Sequence, residues 1–544
     1  MKQLHYIIIV LIAVANSCAD SFLDTKELTR QVDENYYSTP EECETALVGC
    51  YAALQLIWSD GIALPNAATV KGDLAFGGTG SADDRDYKKI DEHDVNIAPS
   101  FVDMFNPNWV NYYRGIFRCN KLIERIDQPD WGDNLATRNR ILAEAKFLRA
   151  FFYFDMVRMF ENIPLLLRES RENLPQADPD DVYRAITEDL LYAVEHARST
   201  THGAMPSTDH GRVTSWAAKS LLARVYLYYT GYYNQPDLVD LVNGDQVLAY
   251  LEDVIENSGH GLVEDFFSLW PAAANYKAVR DGGTLVDANY AGETNQEVVF
   301  AIKYTYTSNY DGDVDGNHWM VMNGLRLQTY SRLGYASGWG ASTVVPEFYQ
   351  NWDPNDDRRE ASVMAIQEEG IAYNYIDDVR EYTGYFTKKY VPFTDENGVP
   401  MTEVYEAANH MIGQFQDYFS IRFSDVLLMA AELGSSNALE YVNMVRRRAG
   451  VDEISAVTRE QIFEERKYEF AFEGLRYWDL LRYDHTLQFA ASKLNYSGEV
   501  LDGGVPYTKT INGNNILTTR GLFQIPQTQI TRSNNVLRQN PGWE

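Results

Sequence analysis

Glu465, Arg466, Glu469, Glu473 and Arg476 are the residues of this sequence whose types and spacing most invite a chemical reading. Two carboxylates four apart on a helix, Glu469 and Glu473, lie one above the other, and such a pair suits acid–base work when burial and repulsion raise one of them. Arg466 and Arg476, three residues away on either side, supply the opposite charge, so the stripe neutralises itself instead of isolating a perturbed acid. The rest of the surface is apolar or aromatic: Phe463, Phe470, Tyr477 and Leu481 on one flank, Tyr468, Phe472 and Leu475 on the other, Ala471 and Trp478 behind. No face is left for water. A single helix over residues 465–482 is therefore expected to be buried, with its charges held in an internal ion network.

Other chemistries have less behind them. Asp311-Gly312-Asp313-Val314-Asp315-Gly316 matches the first half of an EF-hand loop and makes Asp311, Asp313 and Asp315 a candidate calcium set, but Met322 stands where the twelfth-position glutamate is needed. No other cofactor is expected. Gly77-Gly78-Thr79-Gly80 lacks the following Lys-Ser/Thr of a phosphate loop. The nine histidines show no HExxH spacing and no Ser/His/Asp motif is present, although 78 acids leave a glycosidase-type carboxylate pair open. Cys43 and Cys50 sit on one predicted helix about 10 Å apart in rise, too far to bond to each other. Cys119 has the choice of either, and three buried free thiols are the expectation.

The elements that must position these residues are mostly helical. Thr39-Pro40-Glu41-Glu42 is a capping box with proline at the first helical position, opening a helix to about Trp58. Residues 59–108 show clustered Gly, Asp and Asn, no sustained period, and predict a long loop region. Helices resume at residues 109–126 and 139–160, with others at 182–198, 246–257, 425–433 and 437–449. Ala145 to Tyr153 aligns with Ala218 to Tyr226 at an offset of 73 residues, near twice the period of tetratricopeptide repeats. Between about residues 262 and 420 the helical period fades, and 297–306 predicts a strand.

Glu-Arg at 465, Glu-Phe at 469, Glu-Gly at 473, Arg476, Asp-Leu at 479 and Arg482, in this order, closely resemble the C-terminal signature of the SusD/RagB family. Residues 143–165, 211–228 and 525–543 resemble it too. The resemblance implies a mainly α fold, a tetratricopeptide-like scaffold whose inserted loop and small β segments form the ligand face. It implies a lipid-anchored outer-membrane protein that captures nutrients, mostly glycans, together with a TonB-dependent SusC-like barrel. The matching insertions hold the candidate ligand aromatics: Tyr87 in the first, and Tyr306, Tyr310, Trp319, Tyr330, Tyr335 and Trp339 in the second. Aromatic faces suit sugar C–H faces. Arg466, Glu469, Glu473 and Arg476 are the structural signature.

The N-terminus fits that expectation. Lys2 and the short apolar run Ile7 to Ala15 form a signal-type segment. Ala15-Asn16-Ser17-Cys18 resembles a lipobox, with Ala15 where Leu is more usual, so Cys18 is the expected lipidation site and Asp20 resembles a surface-export signal. The chain divides into a signal peptide (1–17), lipidated cysteine and tether (18–38), N-terminal helical region (39–261), irregular ligand-binding region (262–420) and C-terminal helical region (421–544). A formal net charge of −31 repels nucleic acid and anionic lipid and suits neutral or cationic ligands. Oligosaccharide capture without catalysis is the leading function, with peptide capture by the same fold and a helical glycoside hydrolase as alternatives.

Overall fold

The thiols, caps and repeats are visible in a computed structural model that describes residues 36–59, 62–80, 87–93, 96, 103–170, 172–308 and 315–544. The expected signal segment, Cys18 and most of the tether lie outside these residues. Thr39 accepts from the Glu42 amide at 3.2 Å while the Glu42 carboxylate accepts from the Thr39 amide, so the first helix, α1 (Pro40–Ser59), starts where its capping box dictates. The scaffold continues with α2 (Asn106–Arg125), α3 (Leu135–Phe160), α4 (Pro179–His196), α5 (Ser215–Tyr233) and α6 (Gly244–Asn257). It resumes after the insertion with α7 (Phe423–Glu432), α8 (Ala438–Arg448), α9 (Arg459–Glu469) and α10 (Arg476–Tyr483). Each of α1 to α6 packs on the next, and α7 then packs on α6 and α8. Cys43, Cys50 and Cys119 are buried and free.

The 73-residue repeat has a structural counterpart. Lys146 on α3 pairs with Asp189 on α4 at 2.6 Å, and the equivalent Lys219 on α5 pairs with Asp253 on α6. The same residue of each repeat thus ties its helix to the following one, which is the nearest-neighbour logic of stacked helical repeats.

Small sheets carry the insertion. Strands β1 (Ala75–Gly78), β2 (Val298–Ile302), β3 (Ala341–Val344), β4 (Val363–Ala365), β5 (Tyr385–Thr387) and β6 (Tyr418–Arg422) form an antiparallel sheet in the order β1-β3-β5-β4 and a separate β2-β6 pair. Val298 pairs with Arg422 and Ile302 with Tyr418, so the insertion leaves the scaffold and returns to it at one ladder. The Phe423 amide, opening α7, donates to the Glu297 carbonyl at 2.7 Å and fixes the return. The predicted strand over 297–306 ends at Ile302, because the Tyr304 amide is taken by the Asp417 side chain at 3.1 Å instead of a ladder partner.

Three expectations are corrected. Residues 59–108 are not one long loop: Leu64–Val70 is a helix with every residue buried, Tyr87–Asp91 is another, and β1 lies between them. A seven-residue segment buried all round has no polar face and so no period to detect. The C-terminal region also contains a hairpin, β7 (Tyr496–Asp502) with β8 (Val505–Ile511). Most consequential, the helix over 465–482 is broken. Phe472 and Gly474 take left-handed backbone angles, φ 64° and 74°, and a Cβ on Gly474 would lie 2.8 Å from the Pro65 Cα. Only glycine lets this turn close onto the Leu64–Val70 helix.

The break redistributes the expected ion network. Glu473 pairs with Lys389 at 2.7 Å and Arg422 at 2.8 Å, not with Arg476, which instead clasps Asp73 through two bonds of 2.7 and 2.8 Å. Glu469 meets Arg422 at 2.8 Å, Arg448, and Arg358 at 3.4 Å. Arg466 joins Asp425 at 2.6 Å and Asp479 at 2.9 Å. Burial pushes the Glu469 carboxyl upward, but the three guanidiniums outweigh it and hold the group well below the usual range. The charges are buried and paired, through partners from β6, α8 and the insertion.

Candidate functional site

Two of the exposed aromatics, Tyr306 and Tyr405, meet on one part of the insertion. Tyr306 follows β2 by four residues and Tyr405 ends the short helix Met401–Val404. Their rings stack at 4.9 Å and 26°, and Phe415 meets both edge-on, at 6.0 Å from Tyr306 and 5.0 Å from Tyr405. Tyr306 is 39% exposed, Tyr405 45% and the neighbouring Val404 44%. Two broad rings and a branched side chain therefore present an apolar surface to water that the core does not use.

Buried polar groups hold this surface in place. The Asp417 carboxylate accepts from the Tyr304 amide, two residues before Tyr306, and pairs with Lys303; its own amide donates to Glu293 at 3.0 Å. One side chain thus pins the segments that carry Tyr306 and Phe415. Burial raises the Asp417 carboxyl to about 6, against the pull of Lys303, and burial together with the Asp417 charge raises Glu293 to about 8. Asn317 laces the next loop to the same segment, its amide donating to the Gln414 carbonyl at 2.6 Å and its side chain to the Gln416 carbonyl at 2.7 Å.

The aromatics expected to take ligand separate into two groups. Tyr87, Trp319 and Tyr335 are core residues: the Tyr87 hydroxyl donates to the Met322 sulfur at 2.9 Å, Trp319 packs on Tyr390 and Tyr418, and the Tyr335 hydroxyl donates to Glu369 at 2.8 Å. Their faces are covered by protein, so they leave the candidate set. Tyr330 is half-buried with its hydroxyl on the Gly370 carbonyl, and Trp339 is half-buried beside His318. Tyr306 remains as an exposed platform. Tyr310 lies outside the described residues. Sequence reasoning missed Val404, Tyr405 and Phe415, whose signal was an apolar Val-Tyr pair left exposed beyond Pro400.

Asp311 and Asp313 of the calcium set also lie outside the described residues. The Asp315 carboxylate accepts hydroxyls from Thr305 and Ser308, each at 2.8 Å, and is satisfied by them. Met322, at the twelfth position, is in the core. Among the described residues, Asp91, Glu92 and Glu381 bring carboxylates together, but the Lys509 ammonium sits among them, 2.5 Å from Asp91 and 2.6 Å from Glu381, where a cation would be. A cleft of about 230 Å³ between α1 and β2 is lined by Val48, Tyr51, Gln55, Arg212 and Lys303. Its tyrosine, Tyr51, is half-buried, with its hydroxyl tied to Glu144 and the Val213 amide. Among the described residues no helix is long and apolar enough to cross a membrane.

Known proteins resemble the chain over most of its length. The profile of the SusD family matches residues 296–543, and one described as starch-binding associating with outer membrane matches residues 73–227. A SusD-like protein of Bacteroides ovatus is 25% identical over 88% of this chain and 82% of its own. A SusD-like protein of Formosa agariphila is 26% identical across the whole of both. Surface glycan-binding protein A from Bacteroides thetaiotaomicron, solved in complex with laminarihexaose, superposes with a TM-score of 0.72 at 23% identity, covering 92% of this chain and all of that one.

Proposed function

Because the chain belongs to the SusD family, we propose that it captures neutral oligosaccharides at the Tyr306–Tyr405 platform, from an anchor in the outer membrane at Cys18, and delivers them to a TonB-dependent SusC-like barrel without altering them. The observation that carries this reading is the stacked, exposed tyrosine pair with Val404 beside it, held rigidly by Asp417 and Asn317. A sugar ring has an apolar C–H face and a polar rim. The platform answers the first with ring area and the second with the tyrosine hydroxyls and the nearby Thr307. The strongly acidic chain favours uncharged ligands over acidic glycans.

Calorimetric titration of the soluble form lacking residues 1–18 with laminarihexaose and other neutral oligosaccharides tests the reading. Each of Tyr306→Ala and Tyr405→Ala is expected to weaken binding roughly 2- to 12-fold, the equivalent of about 0.5 to 1.5 kcal/mol for one aromatic platform. Wild-type affinity in both variants places the ligand elsewhere. Shortened sugar after incubation would establish a hydrolase, and binding of peptides in place of sugars the peptide-capture alternative. The anchor is tested separately: Cys18→Ala abolishes palmitate labelling and membrane association, and mild detergent extraction co-purifies the barrel with the wild type.

A further inference from the structure

Two buried thiols meet between the first two scaffold helices. The core face of α1 carries Cys43, Leu47, Cys50, Leu54 and Ile57, spaced three and four apart, and that of α2 carries Tyr112, Ile116 and Cys119. The two helices pack on each other, and none of the three cysteines reaches solvent.

Two side-chain bonds fix the register of this contact. Arg118 Nη1 donates to the Gly49 carbonyl at 2.8 Å, and Asn111 Nδ2 donates to the Leu56 carbonyl at 3.4 Å. Seven residues forward on α1 thus match seven residues back on α2, so the helices run antiparallel. Gly49 and Arg118 are half-buried, at the rim of the contact, and the next residue of each helix, Cys50 and Cys119, is turned into it. The Cys119 thiol donates to the Cys50 sulfur. The same register carries Cys43, two turns nearer the start of α1, toward Ile126 and out of reach of Cys119.

The backbone spacing suits a covalent bond. Packed helices lie about 8–10 Å apart, axis to axis, with their Cα atoms about 2.3 Å from each axis. Facing Cα atoms at such a contact come within the roughly 4.4–6.8 Å that a disulfide spans. Burial, with the Cys50 thiol beside it, pushes the Cys119 thiol well above its ordinary value, so the folded protein holds it as an inert thiol. Oxidation therefore belongs to the folding chain, before the helices close over the sulfurs.

We propose that Cys50 and Cys119 form a disulfide in the exported protein and that Cys43 stays a free thiol. The step is thiol–disulfide exchange with a disulfide donor of the receiving compartment. One cysteine thiolate attacks the donor, the second resolves the mixed disulfide, and the Cys50–Cys119 bond forms as the donor's own sulfur–sulfur bond breaks. Two electrons and two protons pass to the donor, which leaves as two thiols. The proposal rests on the export read from residues 1–18, because a reducing compartment keeps both cysteines as thiols. The bond closes a loop of about 70 residues that contains the Leu64–Val70 helix and β1, and it ties the helix next to the tether into the scaffold.

The test is peptide mapping of the protein purified from its native cells, denatured and alkylated without reduction. The expected result is a linked pair of peptides carrying Cys50 and Cys119, parted by dithiothreitol, with Cys43 alkylated before reduction; Cys43→Ala should keep the link. Refolding the mature chain lacking residues 1–18 in a glutathione redox buffer separates the geometry from the export. The same link is expected there, and the oxidised protein should melt about 4 °C above the reduced one. Alkylation of both Cys50 and Cys119 in the native protein, or a bond that includes Cys43, overturns the proposal. If the refolded chain nevertheless makes the link, the export reading is at fault; if it does not, the geometry is.

Discussion

Arg422 offers the most demanding test of the buried network. Its guanidinium, fully buried at the end of β6, meets Glu297, Glu469 at 2.8 Å and Glu473 at 2.8 and 2.9 Å, and donates to the Glu469 carbonyl at 3.0 Å. Arg422→Met keeps most of the volume and removes the charge. Glu473 is then left with Lys389, Glu469 with Arg448 and the longer contact to Arg358, and Glu297 with Arg448. Breaking a buried, hydrogen-bonded ion pair from one side costs about 3–5 kcal/mol, because the charge left behind has no water to replace the lost partner. An unfolding entropy of about 2.1 cal/mol/K per residue over roughly 500 residues gives ~1 kcal/mol/K, so the melting temperature should fall by about 3–5 °C. Scanning calorimetry reads this directly. Arg422→Met combined with Glu473→Gln removes charge from both sides and should recover part of the loss. A single variant melting within about a degree of wild type would refute the argument that these charges depend on one another.

Further outcomes follow from the same structure. Burial raises Glu293 to about 8 and Asp417 to about 6, so the folded protein holds protons that unfolded carboxyls, near 4, release; stability therefore falls as pH rises from about 4 to about 8. Glu293→Gln should melt above wild type at pH 8 and lose that advantage at pH 5, and a difference independent of pH would sink the assignment. Trp319→Ala should cost about 3–5 kcal/mol in denaturant unfolding while leaving oligosaccharide affinity within about twofold, since its ring is packed between Tyr390 and Tyr418 and not open to ligand. A large loss of affinity in a folded Trp319→Ala protein would return that residue to the ligand site.

The helices were legible because their causes are local. The capping box at Thr39 and Glu42 and the repeated alanine-rich faces of α3 and α5 depend on neighbours in sequence. The signature stripe was legible as buried charge, but not in its pairing: Arg476 finds Asp73 some 400 residues away, and Glu473 finds Lys389 and Arg422. Nothing near Gly474 announces the break between α9 and α10, because its cause is the approach of Pro65. The candidate face was half visible. Tyr306 stood out as a loop aromatic, yet Trp319 and Tyr335 had the same local character and are buried, since exposure is decided by how distant segments pack over them. Tyr405 became apparent only when its ring was found stacked on Tyr306.

The ladder between β2 and β6 has a consequence for how the ligand face can change. Because Val298 lies opposite Arg422, the intervening chain begins and ends at the same spot on the helical scaffold. The entropy of closing such an excursion grows only with the logarithm of its length, about 0.6 kcal/mol per doubling. Segments between the strands that touch neither the ion network nor β1 could therefore lengthen, shorten or be exchanged at little thermodynamic cost to the helices. The constraints are Arg358 and Lys389, which the insertion supplies to Glu469 and Glu473, and β1, which contributes an edge strand to the insertion's sheet from before the excursion, Phe76 opposite Thr343. A transplanted ligand face would have to present a strand at that register, or bring its own edge.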